Sequence, residues 1–143
     1  MAPSNYEEPT FGQRFAARLV DGIVMLVPIT AMSIVTDGGL QLLGAILIAA
    51  VYEIGMTVAR GQTLGKRAFD IRIIDAETGD TPDLQQLAVR WLVLGVIATV
   101  LSTVAPGPLG GIYDLVVVAP ILQPPLHRGL HDRAGGTLVT RVH

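Results

Sequence analysis

Four long apolar stretches, separated by short polar or glycine-rich segments, dominate the pattern along the chain. They cover about residues 15–35, 40–59, 87–104 and 109–122. A helix needs about 20 apolar residues to cross the hydrocarbon core of a bilayer. The pattern therefore predicts four transmembrane helices, of which the fourth is the shortest and contains Pro120, a residue that kinks or ends helices.

The composition supports a membrane class. Half of the 143 residues are hydrophobic and only 15% are charged, and the mean hydropathy is +0.53, which is high for a soluble domain of this size. The chain has no cysteine. Disulfide frameworks, thiolate metal sites and cysteine nucleophiles are therefore excluded.

The basic residues are distributed unevenly between the predicted spans. All of them precede or begin the first span, lie between the second and third or at the start of the third, or follow the fourth: Arg14, Arg18, Arg60, Lys66, Arg67, Arg72, Arg90, Arg128, Arg133 and Arg141. The positive-inside rule then places both termini, the loop 60–86 and the tail 123–143 in the cytoplasm. Residues 1–10 lack a basic segment typical of a signal peptide. The bias toward arginine is typical of a GC-rich bacterial genome, so we expect a multi-pass protein of a bacterial plasma membrane.

The cytoplasmic loop and tail carry strand patterns. Residues 68–74 (AFDIRII) are rich in branched side chains, and residues 136–142 (GTLVTRV) form a second candidate strand. Thr81 is a candidate helix cap, with Pro82 at the first helical position. We therefore predict an all-α membrane protein, a single domain over residues 1–143, with a small cytoplasmic β-hairpin-like cap.

Charged residues at the start of the first span lie on one helical face. Steps of four and three residues bring Arg14, Arg18 and Asp21 to nearly the same angle. A charge at bilayer depth is costly unless it is paired or hydrated, which indicates a buried polar site. Arg18 is the easier partner for Asp21, while Arg14 either reaches lipid phosphates or contacts another helix.

Glu53 in the second span is predicted to lie at a depth similar to that of Asp21. Two neighbouring carboxylates in a low dielectric cannot both stay ionised, so they share a proton or a cation unless an arginine intervenes. Asp21, Glu53 and Arg18 are therefore candidates for binding an ion or substrate. The alternative is structural: Asp21 only fixes helix packing, and Glu53 is protonated or paired with Arg18, Arg60 or Arg90.

Other chemistry is not supported by the sequence. Residues 61–67 (GQTLGKR) are too short between their glycines for a phosphate-binding loop and lack its hydroxyl residue. His127 and His131 have helical metal-site spacing, but they follow two prolines and flank Gly129. We find no arrangement typical of nucleophilic catalysis and no aromatic series typical of nucleic acid binding. We therefore expect no enzyme activity, no metal and no cofactor.

Three motifs resemble a known family. They are RxxAxxxD from Arg14 to Asp21, GQTLGKRAFDIRIID at 61–75, and RGLHDRAGGTLV at 128–139. Together they resemble the RDD family of small membrane proteins, which is named for an arginine and two aspartates. The resemblance implies that Arg14, Asp21 and Asp132 are the family motif. It also implies a helical membrane architecture, with transport of an ion or small ligand as the usual suggestion.

Two classes of function follow. The first is a transporter of an ion or small solute that uses the intramembrane carboxylates, and its small interior predicts a homo-oligomer. The second is a non-catalytic accessory, assembly or scaffolding subunit that pairs with a partner membrane protein. Small residues in the second span would admit another helix in either case. The basic loop also suits anionic lipid headgroups.

Overall fold

The computed structural model of the chain describes residues 6–97, 100, 109–122 and 127–142. In these ranges the elements, in chain order, are α1 (Phe11–Val35), α2 (Gly38–Arg60), α3 (Leu64–Ala68), β1 (Ile71–Asp75), α4 (Leu84–Trp91), α5 (Leu109–Val118), α6 (Leu130–Ala134) and β2 (Thr137–Arg141). A π-helical turn, Leu92–Val96, continues α4, and a 3₁₀ turn, Ala119–Leu122, continues α5.

The ends of α1 and α2 are set by local capping. Thr10 and Gln13 form a capping box that starts α1, four residues earlier than the apolar pattern predicts. The helix continues through Pro28 to Val35, and α2 begins at Gly38, so the connection is two residues long. Gly61 ends α2 with φ of 71°, a left-handed conformation that glycine adopts without strain.

Two helices of the described residues, α1 and α2, are long and apolar enough to cross a membrane. Only 6% of the most apolar stretch of α1 and 11% of that of α2 are buried in the protein. The core helix of a soluble domain would be mostly covered, whereas these helices expose large side chains such as Val27, Ile34 and Val51. This exposure is what a lipid-facing surface requires.

The third and fourth predicted spans are described only in part. The beginning of the third corresponds to α4 and the π-helical turn, and residues 98–99 and 101–108 lie outside the described residues. The fourth coincides with α5 and its 3₁₀ turn. A total of four transmembrane helices therefore remains a prediction.

The predicted pair of strands is confirmed, but the first strand begins at Ile71, because residue 68 ends α3 and residues 69–70 form a turn. Strands β1 and β2 form a two-stranded antiparallel sheet in which Ile73 lies opposite Val139. The segment before α1 lies beside β2, where the Arg141 N–H donates to the Glu7 carbonyl over 2.9 Å. The two ends of the described chain are thus held together.

The predicted start of α4 is wrong. Asp83, not Thr81, is the N-cap, and the helix begins at Leu84 rather than at Pro82. The Asp83 carboxylate accepts from the Gln86 N–H at 2.7 Å, and the Gln86 side chain accepts from the Asp83 N–H at 2.9 Å. This reciprocal pair satisfies two free N–H groups, which a cap at Thr81 would not achieve.

The core lies where the cap meets α1 and α4. Its buried members are Ala17, Ile71, Ile73, Leu87 and Val139, with Ile54 of α2 packed against them. The sheet thus buries one face against the first part of α1 and the last part of α2. This packing brings the charged residues of α1 and α2 next to those of the loop and tail.

Candidate functional site

The Asp21 carboxylate is surrounded by donors from two other elements. Oδ1 accepts from the Tyr52 hydroxyl at 2.6 Å and from the Gly65 N–H at 2.8 Å. Oδ2 accepts from the Thr63 hydroxyl at 2.6 Å and lies 3.7 Å from the Lys66 Nζ. Asp21 is only 4% exposed. The carboxylate therefore ties α1 to α2 and to the segment that begins α3.

Lys66 is buried beside this carboxylate. Its Nζ donates to the Thr63 hydroxyl at 3.2 Å. Burial lowers the pKa of Lys66, whereas the negative charges of Glu53 and Asp21 act to raise it. The two acids thus share a lysine between them, which sequence reasoning did not assign to either.

The predicted pair of Arg18 and Asp21 is wrong. Arg18 Nη1 instead lies 3.3 Å from Glu53 Oε2, so the arginine joins α1 to α2. Donors from α2 and from the α3 region already occupy Asp21, and this leaves Glu53 as the acid available to Arg18. The pairing of Glu53 with Arg18 was one of the alternatives that the sequence left open.

Asp132 is the centre of a second buried cluster. It is fully buried and forms an ion pair with Arg90, while Arg14 Nη1 lies 3.8 Å from its Oδ2. The Gly129 N–H donates to Oδ2 at 3.2 Å and the Thr137 hydroxyl donates to Oδ1 at 3.4 Å. Asp132 therefore connects the tail to α1 and α4.

His131 lies next to this cluster and is 4% exposed. Burial, reinforced by the positive charges of Arg90, Arg18, Lys66 and Arg14, lowers the pKa of His131 to about 2. The imidazole is therefore neutral at pH 7. It adds no positive charge to a region that already holds four cationic side chains.

A cavity of about 360 Å³ is lined by members of both clusters, Lys66 of the first and Asp132 of the second. Its charged lining comprises Arg14, Arg18, Glu53, Lys66, Arg90 and Asp132. Apolar side chains complete the wall, among them Phe11, Phe15, Leu94, Leu115 and Ile121. A mostly apolar cavity with a few convergent charged groups is typical of a small-molecule site.

The structure brings together most of the residues that the sequence singled out. The cavity is lined by Arg14, Arg18, Glu53 and Asp132. Asp21 does not line it but lies 3.7 Å from the Nζ of Lys66, which does. Sequence reasoning missed the roles of other polar residues: Tyr52, Thr63, Gly65, Arg90 and Thr137. The signal for Arg90 was its place among apolar residues of a predicted span. Cation binding by Asp21 and Glu53 stays a prediction.

Comparison with known proteins identifies the family. The model of the RDD family matches residues 8–136, which is most of the chain and includes Arg14, Asp21 and Asp132. No curated protein and no solved structure matched the chain. The match agrees with the two long apolar helices whose side chains are mostly exposed. The chain therefore belongs to the RDD family of small membrane proteins.

Proposed function

We propose that this protein is a membrane transporter for a small solute, and that the solute binds in the cavity lined by members of both acidic clusters. The observation that supports this proposal is a cavity of about 360 Å³ lined by buried charges at the end of two apolar helices. Charged groups at such a depth are costly and are commonly kept for ion or substrate pathways.

Glu53 is the carboxylate best placed to respond to a solute. Its side chain is 14% exposed, lines the cavity, and is held by Arg18, whose own side chain is 51% exposed. A pair of this kind exchanges partners more easily than Asp21, which accepts three short hydrogen bonds. In this proposal Glu53 and Arg18 contact the solute, and Asp21 holds the site together.

The setting of the proposal is a bacterial plasma membrane, with both termini and the basic loop in the cytoplasm. One small chain encloses little space, so the transporter works as a homo-oligomer or with a partner membrane protein. The chain carries out no catalytic step and contacts anionic headgroups through its exposed loop arginines, such as Arg67 and Arg72.

Flux measurements with reconstituted protein test the proposal. Proteoliposomes should take up one of three probes, namely protons, sodium or a neutral solute, faster than empty vesicles do. Glu53→Gln should reduce that flux at least about tenfold, since a charged contact to the solute is lost. Glu77→Gln, an exposed turn position outside the cavity, is the matched control and should transport normally.

The accessory-subunit function is the second candidate. It is favoured by the hydrogen bonds that the Asp21 carboxylate already accepts within the protein. A carboxylate that accepts from Tyr52, Thr63 and Gly65 serves packing without any solute. This function predicts that no probe crosses the membrane faster than in empty vesicles, under a pH gradient or a membrane potential. That result, with protein shown to be folded and inserted, would reject transport.

A further inference from the structure

The cavity has more positive than negative side chains. Four cations line it, Arg14, Arg18, Lys66 and Arg90, against two carboxylates, Glu53 and Asp132. If the charge of Lys66 is cancelled by its neighbour Asp21, three arginines remain against the two carboxylates, so the net charge is still positive. A cation would enter a region of net positive charge, whereas an anion would balance it.

Two of these arginines retain buried donors that have no hydrogen-bond partner among the described residues. They are Nε and Nη1 of Arg14 and Nε of Arg90. The side chains are only 8% and 6% exposed, and both line the cavity. Buried polar donors are nearly always paired, because an unpaired one loses its hydration without compensation. Arg14 also interacts with the Tyr6 hydroxyl and lies near Asp132 through Nη1, so the donors left for a further acceptor are the Nε atoms of Arg14 and Arg90.

The carboxylates of the cavity are already engaged. Asp132 is paired with Arg90 and Arg14 and accepts from the Gly129 N–H and the Thr137 hydroxyl. Glu53 accepts both hydrogen bonds from Arg18 Nη1. A metal ion or an ammonium group would have to displace these partners, whereas an oxyanion would use the donors that remain.

The cavity also has an apolar side that faces outward. Phe15 and Leu115 line it and are 61% and 72% exposed, on faces that extend the apolar surface of their helices. Phe11 stacks on Phe15 with ring centroids 6.3 Å apart and is itself half-exposed. In a bilayer these side chains contact acyl chains, so a ligand with an apolar tail can keep that tail in the hydrocarbon region.

We infer that this cavity binds a phosphate group, and that the phosphate is carried on an amphiphile whose tail leaves between Phe15 and Leu115. Guanidinium groups match the several oxygens of a phosphate and donate to it from more than one direction. The cavity volume accommodates a headgroup but not a whole phospholipid. The inference goes beyond the proposed function: it concerns the same cavity but assigns its arginines to an anion, separate from the solute contacts given to Glu53.

Calorimetric titration of the full chain in a neutral detergent tests this inference with three probes. Dioctanoyl phosphatidic acid has the phosphate and the tails, dioctanoyl phosphatidylcholine has the tails but a zwitterionic headgroup, and glycerol 3-phosphate has the phosphate alone. We expect phosphatidic acid to bind at least about tenfold more tightly than phosphatidylcholine, as the loss of one charged hydrogen bond implies.

Three variants separate the site from general charge effects. Arg14→Gln should raise the Kd for phosphatidic acid about tenfold or more, since it removes a guanidinium that lines the cavity. Arg18→Gln, at a half-exposed position, should also weaken binding even if Arg14→Gln fails to fold. Arg72→Gln, on the exposed side of β1, should bind as the unaltered protein does.

The outcomes are distinct. Tight binding of glycerol 3-phosphate with the same dependence on Arg14 and Arg18 supports a phosphate site for a free solute. Equal affinity for phosphatidic acid and phosphatidylcholine, or binding unchanged in both cavity variants, overturns the inference. Binding is measured without a gradient, so a protein that binds phosphate but carries no flux rejects transport and keeps the site.

Discussion

At the scale of single residues, buried aspartates hold separate parts of this protein together. Asp21 accepts hydrogen bonds from α2 and from the start of α3. Asp132 accepts a hydrogen bond from the tail and forms ion pairs with arginines of α1 and α4. Each acid is thus compensated by several groups instead of one. Removing such an acid leaves buried donors and cations unpaired, which is costly in a low dielectric.

We predict that Asp21→Asn lowers the free energy of unfolding by about 3 kcal/mol, because Lys66 loses its charge partner and the amide presents a donor where an acceptor is needed. Unfolding by SDS titration, followed by the fluorescence of Trp91, measures this change. Asp37→Asn is the matched control, since Asp37 is exposed and makes no side-chain cap bond. Equal stability of the two variants would contradict the role given to Asp21.

The lowered pKa of buried His131 leads us to predict that the stability of the protein depends on pH. The pKa of this histidine is lowered from 6.5 to about 2 in the folded protein, so below pH 6.5 the unfolded chain binds a proton that the folded chain does not. Stability is therefore full above that pH and falls as the pH decreases, with a slope of up to about 1.4 kcal/mol per pH unit.

Between pH 7.5 and 5, His131→Gln should flatten this dependence, measured by the same SDS titration at each pH. Arg72→Gln, at an exposed position of β1 that does not titrate in this range, should leave it as steep as before. Two variants with identical slopes would show that His131 does not cause the effect.

At the scale of secondary-structure elements, the close contact of α1 with α3 is what positions the site. Gly65 makes that contact possible, because a Cβ atom there would overlap the Ala17 carbonyl and come within 2.8 Å of the Asp21 carboxylate. The Gly65 N–H is itself one of the Asp21 donors. A side chain at this position would therefore separate the helices and weaken the carboxylate cluster together.

Gly65→Ala should lower the free energy of unfolding by about 1–3 kcal/mol through overpacking. Gly55→Ala is the control, because a Cβ atom at that position of α2 meets nothing within 4 Å. We expect Gly55→Ala to leave stability unchanged or slightly raised, since alanine favours a helix over glycine. A Gly65→Ala protein as stable as Gly55→Ala would show that the contact tolerates a methyl group.

At the scale of the whole molecule, the cap, which is the sheet of β1 and β2, holds residues near both ends of the described chain at the same end of α1 and α2. Glu7 forms an ion pair with Arg141 at 2.8 Å, and its backbone N–H donates to the Thr140 hydroxyl at 3.1 Å. The connection between α1 and α2 lies at the other end of these helices. If α1 and α2 cross the bilayer as a hairpin, Asp37 is on the opposite side from the cap.

Labelling with a membrane-impermeant maleimide measures this arrangement, and the absence of cysteine gives a clean background. In intact cells Asp37→Cys should react, while Glu77→Cys and Arg133→Cys should react only after the membrane is opened. All three positions are exposed in the structure. Labelling of Glu77→Cys and Arg133→Cys from opposite sides would contradict the cap as a single cytoplasmic unit.

The sequence by itself predicted the family, the two long apolar helices, the strand pair and most of the residues around the cavity. These features depend on local patterns: the length of an apolar run, branched residues between turns, and charges repeated on one helical face. A capping box is also local, but the start of α4 was misassigned. Thr81 and Asp83 are both suitable N-cap residues, and only Asp83 lies three residues before Gln86, the spacing that a capping box requires.

Tertiary structure alone decided which charges meet. Asp21 accepts hydrogen bonds from Thr63 and Gly65, which are 42 and 44 residues away in the sequence. Arg14 approaches Asp132, which lies near the other end of the chain. Periodicity fixes the angle of a side chain on its own helix but not the element that packs against it. The choice of partner, and with it the positive balance of the cavity, follows from how the cap docks on α1 and α2.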